Sequence, residues 1–115
     1  MFTQREELAR RLPENGWRVA AVEESGLEWW ADEIWLIESV WSPGGLRLHL
    51  TFLVDPSAGS RRAKGQRVWA VGTSAVRPAD RGSAEGKPLL PLGHGWRTRL
   101  PEFFTGLSGL REAKE

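Results

Sequence analysis

Residues 46–55 read Leu46-Arg47-Leu48-His49-Leu50-Thr51-Phe52-Leu53-Val54-Asp55, with an apolar side chain at nearly every second position. A period of two is the mark of a strand with one buried face, because successive side chains on a strand point to opposite sides. Just upstream, Glu28-Trp29-Trp30-Ala31-Asp32-Glu33-Ile34-Trp35-Leu36-Ile37-Glu38-Ser39-Val40-Trp41 is dense in the aromatic and β-branched residues that suit a pleated surface. Between the two stand Ser42-Pro43-Gly44-Gly45, with proline and glycine where a type II turn needs them, or with Gly44-Gly45 as a type I′ pair. The three segments predict a β-hairpin.

The turn also assigns faces. With Pro43-Gly44 as the loop, Trp41 pairs with Leu46, Ile37 with Leu50 and Trp35 with Phe52; with Gly44-Gly45 as the loop every pairing shifts by two. Either way the odd residues of the first strand share a face with the even residues of the second. That face collects Trp35, Ile37, Trp41, Leu46, Leu48, Leu50, Phe52 and Val54, and is the expected core. The other carries Ile34, Leu36, Glu38 and Val40 beside Arg47, His49, Thr51 and Leu53. A face left to water shows cleaner polar alternation, so this one is expected to be covered by the chain's own loop, by a second copy or by a partner. Trp29, Trp30, Ile34, Leu36 and Leu53 are the candidate interface residues.

Outward from the hairpin, Thr3-Gln4-Arg5-Glu6 reads as a capping box and predicts a helix that ends near Pro13, with Leu8, Ala9 and Leu12 as its apolar stripe. Residues 17–24 fit a short strand or a continued helix equally well. Residues 66–77 predict a further strand. Residues 78–95 hold three prolines and four glycines, and are expected to form a long loop, flexible or draped over the sheet. Pro101 suits a first helical turn, and Leu100, Phe103, Phe104, Leu107 and Leu110 recur at helical spacing. Gly106 and Gly109 weaken that helix by about 1 kcal/mol each relative to alanine, so it needs support from packing or uses the glycines for close approach. The expectation is a single α+β domain over 1–115: an antiparallel meander of three to four strands with an N-terminal and a C-terminal helix packed on one face.

A chain of 115 residues with 40% hydrophobic and 27% charged residues has the composition of one globular domain, not of a disordered chain. The absence of cysteine excludes disulfides, thiolate metal sites and a cysteine nucleophile, and two histidines leave little for a metal cage. No metal or cofactor is therefore expected. The net charge of +1 conceals an asymmetry: residues 1–55 carry a net −5 and residues 56–115 a net +6. Fields of opposite sign packed together largely cancel at long range, so protein-wide steering of a polyanion is not implied. Acids at the N-terminus and the lack of an apolar run of about 18 residues argue against a secretory signal or a membrane span and for a cytoplasmic protein.

Three constellations bear on chemistry. In the Pro43-Gly44 register Glu38 faces His49, with Arg47 in reach, the pairing from which many acid–base devices are built. No glycine-framed serine, phosphate-cradling loop or metal-binding spacing accompanies it, so Glu38, Arg47, His49 and Thr51 read first as polar residues of a sheet face. His94, between Gly93 and Gly95, reads as a turn residue. Trp35, Trp41 and Trp69 are explained by the core, whereas Trp17, Trp29, Trp30 and Trp96 are less constrained and supply candidate surface anchors. Finally, Arg61, Arg62, Lys64 and Arg67 fall in a loop between strands, where they would grip the phosphates of a nucleic acid. The helix-strand-strand-strand-helix order with such a loop resembles the double-stranded-RNA-binding domain, and that resemblance implies a duplex RNA partner. Only Arg97 and Arg99 stand where that family has a lysine-rich helix start. The functional expectation is thus a non-catalytic binding or adaptor module, acting on a protein partner or on itself as a homodimer through its tryptophan-rich sheet face, with nucleic-acid binding as the alternative.

Overall fold

A computed structural model describes residues 3–24, 30–40, 46–54 and 68–114, with side chains through residue 110. Five strands form one antiparallel sheet in chain order: β1 (Trp17–Glu23), β2 (Ala31–Ser39), β3 (Arg47–Val54), β4 (Val68–Ser74) and β5 (Leu90–Pro91). Helix α1 (Gln4–Glu14) precedes the sheet; α2 (Arg81–Ala84) lies between β4 and β5, and a 3-10 turn (Trp96–Arg99) leads into α3 (Leu100–Lys114). The architecture is α+β with a helix at each end of the chain, as the patterning implies. Residues 17–23 resolve as a strand, and β5 extends the sheet, so it holds five strands where three to four were expected. The added strands also depart from the order of the double-stranded-RNA-binding domain.

The capping box starts α1: the Thr3 hydroxyl accepts from the Glu6 amide at 3.1 Å, and the Glu6 carboxylate accepts from the Thr3 amide at 3.1 Å. Those Thr3 groups hold Glu6 below the usual carboxylate range. The helix runs through Pro13 to Glu14, slightly past the expected stop. Pro13 falls in the last turn, which is closed by Asn15 N to Leu12 O at 3.0 Å and Gly16 N to Pro13 O at 3.2 Å. Gly16, at φ 82°, supplies the left-handed residue that turns the chain into β1.

In the hairpin, Trp35 lies opposite Leu50, Ile37 opposite Leu48, and Glu38 opposite Arg47. This differs by two residues from the Pro43-Gly44 register, in the direction opposite to the Gly44-Gly45 alternative. A shift of two changes every partner yet keeps every side chain on its own face, so the face assignment stands while the pairing of Glu38 with His49 does not. Trp35, Ile37, Leu48, Leu50 and Phe52 are buried in one cluster with Leu8 and Leu12 of α1 and Leu100, Phe103, Phe104 and Leu107 of α3. Each such residue contributes about 1.5–3 kcal/mol when fully buried. Trp41 lies outside the described residues.

One end of β2 carries a bulge at Asp32, which breaks the alternation that the sequence suggests. It lets neighbouring Asp32 and Glu33 both meet Arg5 of α1, whose guanidinium also stacks over the Phe52 ring at 5.1 Å. Glu33 in turn accepts from the Trp35 indole at 3.1 Å. On the same helix Glu7 accepts from Arg10 and Arg97, which hold it below its ordinary range. The Arg5 and Arg97 pairs latch α1 to β2 and to the 3-10 turn before α3. Among the described residues no helix is long and apolar enough to cross a membrane.

Candidate functional site: a groove between α3 and the 87–91 segment

The segment after β4 is not a featureless loop. Arg77 reaches the far edge of the sheet to pair with Glu23 of β1 at 2.9 Å. Asp80 then caps α2, accepting from the Ser83 amide at 2.7 Å, while the Ser83 hydroxyl accepts from the Asp80 amide at 3.3 Å. The Ser83 groups hold Asp80 below its usual range. Two glycines seat the segment on the sheet. A Cβ at Gly72 would lie 1.9 Å from the Ala84 carbonyl oxygen, and one at Gly86 2.1 Å from the Thr73 carbonyl oxygen, so the backbones approach more closely than any side chain allows.

This strap covers the half-apolar face. Trp30, Ala31, Ile34, Leu53, Ala70 and Ala84 form a second buried cluster, with Trp69 and Leu89 packed at its edge. Ile34 and Leu53 are each 1% exposed and Trp30 4%, so these candidate interface residues belong to the chain's own interior; Leu36 is half-buried. Trp17 and Trp96, considered as surface anchors, are buried in the first cluster. Trp29 and the basic residues Arg61, Arg62, Lys64 and Arg67 lie outside the described residues.

Of the polar residues of the strap side, Glu38 and Arg47 come together, and His49 and Thr51 stand apart from them. Glu38 is held by Arg18 and, at 3.2 Å, by Arg47. His49 lies opposite Leu36 on one side and Ser74 on the other. Burial pushes its pKa down; Glu23 opposes this and Arg77 reinforces it. The Thr51 hydroxyl is buried with no hydrogen-bond partner among the described residues. His94 is exposed, and its carbonyl accepts from Arg99 at 3.3 Å.

The open concavity lies elsewhere, where the strap meets α3. The Lys87-Pro88 peptide is cis, and the Pro88 carbonyl is tied down by the Thr73 hydroxyl at 2.8 Å. A Cβ at Gly106 would lie 2.7 Å from Pro88 Cβ, so the missing side chain lets α3 rest directly on the proline ring. Beside this contact opens a cavity of about 700 Å³ lined by Pro88, Leu89, Pro91, Phe103 and Leu110, with Lys87, Arg99 and Glu102 also bordering it. A second, of about 250 Å³, adjoins it between the start of β3 and the end of β4, and Lys87 and Leu110 line both. Sequence reading missed this site. Its legible signal was Gly106, which with Gly109 weakens the last helix and called for packing support or a close approach. Comparison with known protein families, curated proteins and solved structures finds no match to the chain.

Proposed function

We propose that this chain is a non-catalytic binding module that takes a small apolar molecule into the groove between α3 and residues 87–91. The observation that carries the reading is the groove itself, about 700 Å³ in volume, walled by proline, leucine and phenylalanine and bordered by charged side chains. Small-molecule sites have this size and this distribution of apolar wall and sparse polar groups. Among the described residues the chain covers its half-apolar sheet face with its own strap, and this groove is an apolar concavity that stays open to a ligand. That moves the binding surface from the tryptophan-rich sheet face to the seam beside it. The engagement of Glu38 by two arginines supports a binding role over acid–base chemistry.

The test is titration of the isotope-labelled protein with decanol, a neutral apolar probe, followed by NMR. Saturable shifts at one-to-one stoichiometry are expected, confined to amides of residues 87–91 and 99–110. Thr105 lines the groove yet is exposed, so Thr105→Trp fills the site without disturbing the core and should abolish those shifts. Shifts that never saturate, or that survive Thr105→Trp, would overturn the reading.

A further inference from the structure

The groove's charges are unevenly matched. Arg99, the last residue of the 3-10 turn, donates to the His94 carbonyl at 3.3 Å, and Glu102 follows in the first turn of α3. Lys87 makes no such bond among the described residues. The nearest acid in sequence, Glu85, is already paired with Arg81 at 2.9 Å. Lys87 itself is exposed and takes no hydrogen bond or ion pair among the described residues. It also stands at the junction of the two cavities, since it lines both. The half of the chain that supplies most of this wall, residues 56–115, is the one with a net charge of +6.

Resting on the binding role above, we infer that the ligand is an amphiphile with a single carboxylate, its apolar body in the larger cavity and its head against the Lys87 ammonium. One ammonium matches one negative charge. A phosphate, with up to two charges and three acceptor oxygens, calls for a cluster of donors or a helix N-terminus aimed at it, and the junction presents one side chain. The apolar stem of Lys87 continues the wall while its head stays in water, which places the charge at the rim and not in the floor.

The experiment compares decanoate with decanol at pH 7, both below their aggregation limits, on the wild-type chain and on Lys87→Met, which keeps the stem and removes the charge. Decanoate is expected to bind about fivefold more tightly than decanol to the wild type, the size an ion pair on an open rim supplies. The preference should shrink as salt is added. In Lys87→Met the preference should vanish, and in the Arg99→Gln/Glu102→Gln double variant it should persist. Equal affinity of the two probes for the wild type, or a preference that survives Lys87→Met, would overturn the carboxylate assignment and leave the groove reading intact. Binding of neither probe would overturn both.

Discussion

The two faces of the sheet are covered in different ways. On one, α1 and α3 lay down Leu8, Leu12, Leu100, Phe103, Phe104 and Leu107 over Trp35, Ile37, Leu50 and Phe52. On the other, a strap running from Ala75 to Leu89 presses a four-residue helix and a few apolar contacts onto Ile34 and Leu53. The first cover interdigitates large side chains. The second works mainly by backbone proximity, through Gly72 and Gly86, and leaves Thr51 Oγ1, His49 Nδ1 and the Trp69 indole N–H buried without hydrogen-bond partners among the described residues. A cover with few buried apolar contacts opens at lower cost than one with many. The groove lies at the seam between them, one wall from each, where Pro88 of the strap touches Gly106 of α3.

The largest effect should come from the helix-covered face. Leu50 is fully buried at its centre, and Leu50→Ala should cost about 2–5 kcal/mol in chemical denaturation. Leu53, equally buried on the strap side, should fall at the low end of that range, because a thin cover can settle into the space left behind. Equal losses would mean that the strap is packed as firmly as the helices.

Next in size is Gly72→Ala. Its backbone lies outside the left-handed region, so the obstacle is purely spatial: the added methyl meets the Ala84 carbonyl. Overpacking of this kind costs about 1–3 kcal/mol. The strap should yield before the sheet does, so amide exchange over residues 81–90 should accelerate while β2 and β3 keep their protection. A uniform loss of protection would instead tie strap and sheet into one cooperative unit. Gly109→Ala, where a Cβ meets nothing within 4 Å, is the matched control and should stabilise α3 by up to about 1 kcal/mol.

The same contrast decides what could be read from the sequence. Long amphipathic segments announce themselves, so the capped α1, the apolar stripe of α3 and the alternation of β3 were legible. The faces of the hairpin followed from parity alone. Its register did not, because a turn signal marks a reversal without stating which pair closes it. The strap was illegible for a related reason: α2 spans four residues and β5 two, too short for any period to show. Asp80 three residues before Ser83 was the local clue to α2, since a short polar side chain there can cap the first turn. The bulge at Asp32 brings it to Arg5, 27 residues away in sequence, a contact that no local pattern records.

A smaller effect, of opposite sign, is expected at Thr51. Its hydroxyl is buried against the strap side with no hydrogen-bond partner among the described residues, and removing an unsatisfied polar atom while keeping the shape is neutral or stabilising. Thr51→Val should therefore raise stability by between zero and about 1 kcal/mol. A clear loss on denaturation would show that the hydroxyl has a partner in solution, and that the strap side is better satisfied than its geometry indicates.

The finest test concerns pH and His49, which is only partly buried and feels opposing neighbours. Burial lowers its pKa in the folded chain below the unfolded value of about 6.5, with Glu23 raising it and Arg77 lowering it further. Between the folded and unfolded values the unfolded chain binds the extra proton, so stability rises with pH in that window. The contribution is complete above about pH 6.5 and is lost as the pH falls through the folded pKa. The strap should feel this first, since Arg77, whose charge lowers the His49 pKa, also anchors the strap to Glu23. Protection over residues 75–86, corrected for the pH dependence of intrinsic amide exchange, should fall as the pH drops below 6.5 ahead of the helix-covered core, and His49→Gln should remove that dependence. A pH response of equal size on both faces, or one that persists in His49→Gln, would assign it to carboxylates elsewhere and detach the strap from the histidine beneath it.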